Sequence, residues 1–198
     1  MASKESILMA TLELASQNGL GAVTLSQIAK KVGIQKASLY SHFSSKDEII
    51  DSLYEYLRTK AKCKVSSEQI DYGELVKGKT ALEVLRYVVG SYQAMNEDSD
   101  MLQFYRFIES ERPFHEEAAK IMVAETQKMI LATKQLFYAM QVQHVMNFPN
   151  VDRAAFSFAM SVHSIIEYIE DKKTAGMDDD GKMMEDFLEE FCRMYGEK

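Results

Sequence analysis

The 198-residue sequence has a globular composition, with 46% hydrophobic residues, 27% charged residues and a net charge of −7. Only 2 prolines are present and alternating β-branched runs are scarce, which favours an all-α chain. No apolar run reaches the roughly 18 residues of a membrane span, and the N-terminal sequence lacks the basic start and apolar core of a signal peptide. We therefore expect a cytoplasmic protein without membrane contact.

The charge is unevenly distributed along the chain. Five lysines and two glutamates lie between the N-terminus and Lys46, a net charge of +3, so the remainder carries −10. A small basic segment on an acidic chain is compatible with DNA binding, because charges at physiological salt act over only about 8 Å.

The N-terminal third of the sequence predicts helices joined by tight turns. Apolar residues recur at helical spacing, and we expect four helices, at about residues 3–18, 25–32, 36–42 and 45–62. Thr24 is predicted to cap the second helix, and Ser44 or Ser45 the fourth. Gly33 tolerates the left-handed backbone of a tight corner, so this segment has the pattern of a helix-turn-helix.

The rest of the sequence predicts a larger helical body. Residues 64–79 lose the helical period and are interpreted as a linker that allows one helical turn. Helical spacing then resumes, at about residues 80–96, 99–111, 114–143, 151–173 and 182–195. The chain would thus hold about nine helices, divided into a DNA-binding domain at 1–46 and a ligand-binding and dimerisation domain at 47–198.

The third predicted helix has an apolar inner face and a polar outer face. Leu39 and Phe43 would point inward, and the outer positions are Gln35, Lys36, Ala37, Ser38, Ser41 and His42. Gln and Lys side chains can hydrogen-bond to base edges in the major groove. Thr24 stands at a helix N-terminus, a favourable phosphate site, and Lys46 could hold another phosphate. The residues alone are equally compatible with a plain helical hairpin that has a solvated polar face.

This segment resembles the N-terminal signature of the TetR family of bacterial repressors. The resemblance rests on Gly19, Thr24, Ile28, Ala29, Gly33, Lys36, Leu39, Tyr40, Phe43, Ser45 and Lys46. It covers roughly the first quarter of the chain. It implies an all-helical homodimer whose N-terminal three helices bind double-stranded operator DNA and whose C-terminal helices bind a small-molecule inducer and dimerise.

The resemblance also implies roles for individual residues. Phosphate contacts are implied for Thr24, Tyr40, His42 and Lys46. Base or backbone contacts are implied for Gln35, Lys36, Ala37 and Ser38. His42 can instead be an ordinary surface residue and Tyr40 a core aromatic, although a tyrosine can bury its ring and still expose its hydroxyl.

The body contains polar and adaptable side chains on or beside apolar faces. Our candidate ligand-binding residues are Tyr92, Tyr105, Met122, Thr126, Met129 and His163. A pocket between helices needs a few polar groups to orient a ligand, and Met packs against varied apolar molecules. We predict a small, largely apolar or aromatic inducer, while the alternative for each residue is an ordinary place in the core.

The last two predicted helices carry apolar stripes that suggest a homodimer interface. The stripes consist of Ala155, Phe158, Ala159, Val162, Ile166, Met184, Phe187, Leu188, Phe191 and Tyr195. Two such helices from each subunit would form a four-helix bundle. The alternative is that both stripes face the core of their own chain.

The sequence contains no Gly-rich phosphate loop, nucleophile motif or HExxH, so we predict no enzyme, cofactor or metal. The acidic run at 178–180 lacks the spacing of a calcium loop, and Cys63 and Cys192 are interpreted as ordinary thiols. We predict a dimeric repressor that a ligand releases from DNA. The alternative is a helical ligand-binding or protein-interaction module of the same fold that does not itself bind DNA.

Overall fold

The computed structural model describes residues 2–64, 70–97, 99–178 and 181–196. Over these ranges the chain forms ten α-helices, a short 3-10 helix (Leu20–Ala22) and no β-strand, which confirms the all-α prediction. The helices are α1 (Lys4–Asn18), α2 (Leu25–Val32), α3 (Lys36–Leu39), α4 (Lys46–Lys64), α5 (Tyr72–Val76), α6 (Ala81–Glu97), α7 (Ser99–Glu111), α8 (Glu116–Val142), α9 (Val151–Thr174) and α10 (Met183–Tyr195). None of these described helices combines the length and the apolar run that a membrane span requires.

The predicted helices are present, with differences at their ends. Helix α3 is shorter than predicted because the amides of residues 40–42 bond to carbonyls three residues back, as in a 3-10 turn. Helix α5, capped by Asp71, is the tenth helix and lies in the predicted linker. Residues 65–69 of that linker, residues 179–180 of the acidic run and the side chain of Cys63 lie outside the described residues.

The chain divides into two compact units. Unit 1 comprises Met1–Ser67 and Asn96–Ala124, and unit 2 comprises Glu68–Met95 and Glu125–Lys198. This division by packing differs from the predicted functional boundary after residue 46. The functional boundary stays a prediction, since packing does not test which residues bind DNA.

An apolar core holds unit 1 together. Its largest fully buried side chains are Ile7, Leu20, Ile28, Leu39, Ile49, Leu53, Phe107 and Ile108. They come from α1, the 3-10 helix, α2, α3, α4 and α7. Helix α7 therefore belongs to the same packed body as the N-terminal helices, although it lies far from them in sequence.

Aromatic rings fill the centre of unit 2. Phe137 of α8 stacks on Phe148, with 4.6 Å between the ring centroids, and lies 5.6 Å from Phe191 of α10. Phe158 of α9 lies 4.8 Å from Phe191. Three helices thus meet around the Phe191 ring, and the ion pair between Lys134 Nζ and Asp152 Oδ1 (3.0 Å) also links α8 to α9.

The side chains predicted to form the dimer interface pack inside unit 2. The buried ones are Ala155, Phe158, Ala159, Val162, Met184, Leu188 and Phe191. Ile166, Phe187 and Tyr195 are half-buried and contact the same core. The seven buried side chains present no surface to a second copy, because the chain itself covers them. A dimer contact on these helices must use their outward faces.

Replacing Phe191 by Ala should lower the free energy of unfolding by about 3–5 kcal/mol, because the lost ring leaves a cavity among three helices. Urea denaturation at fixed protein concentration, followed by circular dichroism, measures this change. Phe114→Ala is the matched control, since Phe114 is 79% exposed. The control should change stability by less than about 0.5 kcal/mol, and equal losses in the two variants would contradict the buried aromatic cluster.

Candidate nucleic-acid interface

The exposed N-terminus of α2 is built by a reciprocal capping box. The Thr24 hydroxyl accepts from the Gln27 amide at 3.3 Å, and Gln27 Oε1 accepts from the Thr24 amide at 2.8 Å. Thr24 is the predicted cap of α2, whereas Gln27 was not predicted to contribute, although Thr-x-x-Gln before an apolar run is a known capping signal. The box places Thr24 at the positive end of the α2 dipole, where an anion is favoured.

Gly33 turns the chain between α2 and α3. Its φ of 78° and ψ of 32° are left-handed, as predicted, and its amide bonds to carbonyls in the last turn of α2. Ile28 and Leu39, on either side of this corner, are 0% and 1% exposed. The turn and these two side chains together fix the angle at which α3 leaves α2.

The predicted base-contacting residues lie side by side at the start of α3. Gln35, Lys36, Ala37 and Ser38 are all exposed. Gln35 is the N-cap residue of α3, but its side-chain amide makes no capping hydrogen bond. The surface therefore offers an amide, an ammonium, a methyl group and a hydroxyl on consecutive residues, which suits contact with base edges.

Two further predicted DNA contacts follow α3. Tyr40 is 53% exposed, so its ring is not a core aromatic in this chain. His42 is half-buried. Between them, the Ser41 hydroxyl donates to the Ser38 carbonyl at 2.7 Å and closes the turn after α3. Tyr40 thus borders the exposed surface of α3.

Lys46 begins α4 and is anchored to the 3-10 helix. Its ammonium donates to the carbonyl of Leu20 at 3.0 Å. An ammonium has three donors, so this bond leaves two for other acceptors. The neighbouring α4 cap is ordered by Glu48, whose carboxylate accepts from the Ser44 hydroxyl and amide at 2.7 and 2.6 Å. These hydrogen bonds, the hydroxyl first, hold the pKa of Glu48 below its usual value.

The lysines of the N-terminal helices differ in their surroundings. Lys4 Nζ lies 5.1 Å from the ring centroid of Phe43, and Lys31 forms an ion pair with Glu13 of α1. Lys30 and Lys36 are exposed on α2 and α3. Positive charge thus lies on the surface of α2 and α3, as the predicted phosphate contacts would require.

The predicted ligand-binding residues are divided between the two units. Tyr105 and Met122 pack with the core of unit 1. Those in unit 2 are half-buried, namely Tyr92, Thr126, Met129 and His163. His163 Nε2 lies 3.3 Å from Glu167 Oε1 on the same helix. Their role in ligand binding stays a prediction.

The N-terminal segment of the chain is similar in sequence to known proteins. Residues 7–53 match the family model described as bacterial regulatory proteins, tetR family. The chain is also similar to the uncharacterized HTH-type transcriptional regulator YerO of Bacillus subtilis (strain 168), with 32% identity over 88 residues. This match covers 44% of the chain and 29% of that relative, so the chain spans less than a third of the length of the curated relatives it matches.

Comparison with solved structures extends the likeness over nearly the whole chain. A putative transcriptional regulator from Saccharomonospora viridis in complex with choline has a TM-score of 0.65 and 17% identity, covering 98% of both chains. NalD, the secondary repressor of the MexAB-OprM multidrug efflux pump in Pseudomonas aeruginosa, has a TM-score of 0.63 and 20% identity, covering 98% of this chain and 96% of its own. At these identities the likeness shows the fold alone.

Replacing Gly33 by Ala should destabilise the fold by roughly 1–2 kcal/mol, because a Cβ disfavours the left-handed conformation. An added Cβ would have no atom within 4 Å, so the loss isolates backbone strain from steric clash. Gly21→Ala is the matched control, with equal open space and no positive φ. Thermal unfolding of both variants tests this, and a Gly33→Ala variant as stable as Gly21→Ala would refute it.

Proposed function

We propose that this chain belongs to the tetR family of bacterial regulatory proteins, whose model matches residues 7–53, and that it is a dimeric repressor released from operator DNA by a small ligand. The observation that carries the proposal is the run of four exposed residues at the start of α3, from Gln35 to Ser38. It stands beside a left-handed turn at Gly33 and a capped α2. A recognition helix must present such a surface to the major groove.

The proposal divides the DNA contacts into two kinds. Phosphates would be held by Thr24, Tyr40, His42 and Lys46, around the rim of the surface. Bases would be contacted by Gln35, Lys36, Ala37 and Ser38, at its centre. Phosphate contacts supply affinity and register, and base contacts supply sequence choice. Four central residues are few, so two copies are needed for adequate specificity. The DNA-binding domains of the two copies would lie about 34–36 Å apart to enter successive major grooves.

We place the dimer contact on the outward face of α9. Phe156 is 52% exposed, and Met160 and Ser164 follow it at helical spacing. This face lies opposite the buried Phe158 and Val162. An exposed Phe beside small and flexible side chains is a favourable centre for an interface, because aromatic side chains contribute large buried area.

The ligand would act in the body of the chain, residues 47–198. NalD shows that a repressor can have this fold, and the choline complex shows that the fold can hold a small organic molecule. For this chain we propose a small, largely apolar or aromatic inducer, with the six candidate residues as contacts. Members of the family are generally non-enzymatic, and we assign no reaction to the chain. We propose that it acts in the cytoplasm, where operator DNA would be found.

The coupling between ligand and DNA has a fixed thermodynamic limit. A ligand weakens DNA binding only by the factor with which it prefers the state that cannot bind DNA. DNA must weaken ligand binding by the same factor. An inducer identified by its effect on DNA affinity can therefore be checked by its own affinity in the presence of operator.

Replacing Lys36 by Ala should weaken binding to operator DNA by about tenfold or more and leave binding to unrelated DNA less affected, because a base contact contributes about 1–3 kcal/mol of discrimination. Titrations with DNA from upstream of the protein's own gene and with unrelated DNA measure both affinities. Lys128→Ala is the control, since Lys128 is exposed on α8 and pairs with Glu125. If the wild-type protein binds neither DNA at any salt, the module without DNA binding is favoured instead.

Replacing Phe156 by Glu should dissociate the dimer, because a charge would be buried without a partner at the centre of the contact. Sedimentation at several protein concentrations measures the change, and we expect the dissociation constant to rise at least about a hundredfold. Phe114→Glu introduces the same charge at another exposed Phe, in unit 1. It should leave the dimer intact, and equal dissociation of both variants would exclude a specific role for α9.

A further inference from the structure

Glu111, the last residue of α7, is a buried carboxylate in unit 1. It is 5% exposed, and no other charged residue of the described chain is buried to this degree. Glu111 Oε1 accepts from the Leu20 amide at 3.0 Å, across 91 positions of sequence. Glu111 Oε2 lies 3.5 Å from Nε2 of His115, whose side chain is 42% exposed. The carboxylate thus connects the end of α7 to the corner between α1 and α2.

Aromatic side chains pack near Glu111. Tyr54, 4% exposed, packs its ring 5.6 Å from Phe107 and 6.1 Å from His115. Within the described residues the Tyr54 hydroxyl has no hydrogen-bond partner. Burial, followed by the charges of Glu111 and Asp51, raises the pKa of Tyr54. A carboxylate in such surroundings is unfavourable unless its hydrogen bonds compensate for lost hydration, so the bond to Leu20 is a strong constraint.

Leu20 is held through both of its backbone polar groups. Its amide donates to Glu111, and its carbonyl accepts from the ammonium of Lys46 at 3.0 Å. Its side chain is 2% exposed in the core of unit 1. The position of the Lys46 ammonium therefore depends on the backbone of Leu20, which Glu111 holds through its hydrogen bond to the amide.

We propose that Glu111 is a positioning residue for DNA binding, which fixes the backbone of Leu20 and thereby places the Lys46 ammonium for a phosphate contact. This inference rests on the proposed function, because it assigns Lys46 to a phosphate of the operator. Glu111 itself does not touch DNA. Its effect passes through the Leu20 backbone to Lys46.

The direction in which DNA affinity changes when the Glu111 carboxylate is removed distinguishes a positioning role from a long-range electrostatic effect. Removing a negative charge from an acidic protein strengthens its long-range attraction to DNA. Loss of a positioning carboxylate must instead weaken binding. Glu116→Gln is the matched control, because its side chain is 81% exposed and pairs with Lys120 in the first turn of α8. The control should leave operator affinity unchanged or slightly raise it.

The test is a double-mutant cycle on operator binding, measured over a range of salt concentrations. Glu111→Met keeps the side-chain length and removes the acceptors. It should weaken binding about tenfold and lower the salt slope by about 0.9, the value for one phosphate contact. Glu111→Gln retains an acceptor oxygen and should stay within about twofold of wild type. In the Lys46→Ala background, Glu111→Met should have no further effect.

Several results would overturn the inference. Additive losses from Glu111→Met and Lys46→Ala would show two independent effects, since coupled sites are non-additive. If the Glu111→Met variant bound operator DNA as tightly as the Glu116→Gln variant, Glu111 would have no positioning role. If Glu111→Met does not fold by circular dichroism, Glu111→Asp carries the same cycle, because it keeps the charge and withdraws the oxygens by one methylene.

A second measurement needs no DNA. Hydrogen exchange at the Leu20 amide should be slow in the wild type and in Glu111→Gln, and faster in Glu111→Met. Equal exchange in all three would show that Glu111 does not hold this backbone. If the wild-type protein binds no DNA but shows the expected exchange pattern, the proposed function is contradicted. The contact between Glu111 and Leu20 would then have a structural role only.

Discussion

Helices as short as α2 and α3 depend on what lies behind them. They have eight and four residues, and isolated helices shorter than about 12–15 residues are marginal in water. Their buried anchors, Ile28 and Leu39, pack into a core that α4 and α7 complete with Leu53 and Phe107. The surface proposed to contact DNA is therefore shaped by residues well beyond position 46. The segment proposed to contact DNA and some of the residues that pack behind it thus come from different stretches of the chain.

The features that sequence alone predicted are those fixed by local chemistry. Thr24 caps α2 and Gly33 turns left-handed because backbone groups at helix ends need near partners and because only Gly adopts that conformation without strain. The contact between Glu111 and Leu20 has no such local signal. It joins residues 91 positions apart, and only the packing of α7 against α1 brings them together. The exposure of Gln35 to Ser38 was also predictable, because the apolar Leu39 marks the inner face of this short helix and the mostly polar residues before it are left on the outer face.

The apolar stripes of α9 and α10 show a different limit of sequence interpretation. A stripe at helical spacing says that a face is covered, but not what covers it. From the sequence, Phe158 and Phe191 could be buried either against a second subunit or against other helices of the same chain. The choice depends on where α8 and the loop after it place Phe137 and Phe148, which stack against this cluster. Such a placement is a property of the whole fold, so the sequence of α9 and α10 is compatible with both interpretations.

The packing of unit 1 also bears on how an inducer would act on the proposed regulator. Closely packed cores resist continuous deformation and shift as bodies. Helix α7 shares its core with α1 to α4 and is bonded to Leu20 through Glu111. A displacement of α7 would therefore carry the helix-turn-helix with it, and the exposed residues of α3 would keep their arrangement. The proposed inducer would therefore change the separation of the two DNA-binding domains in the dimer, and the surface proposed to contact bases would stay the same in both states.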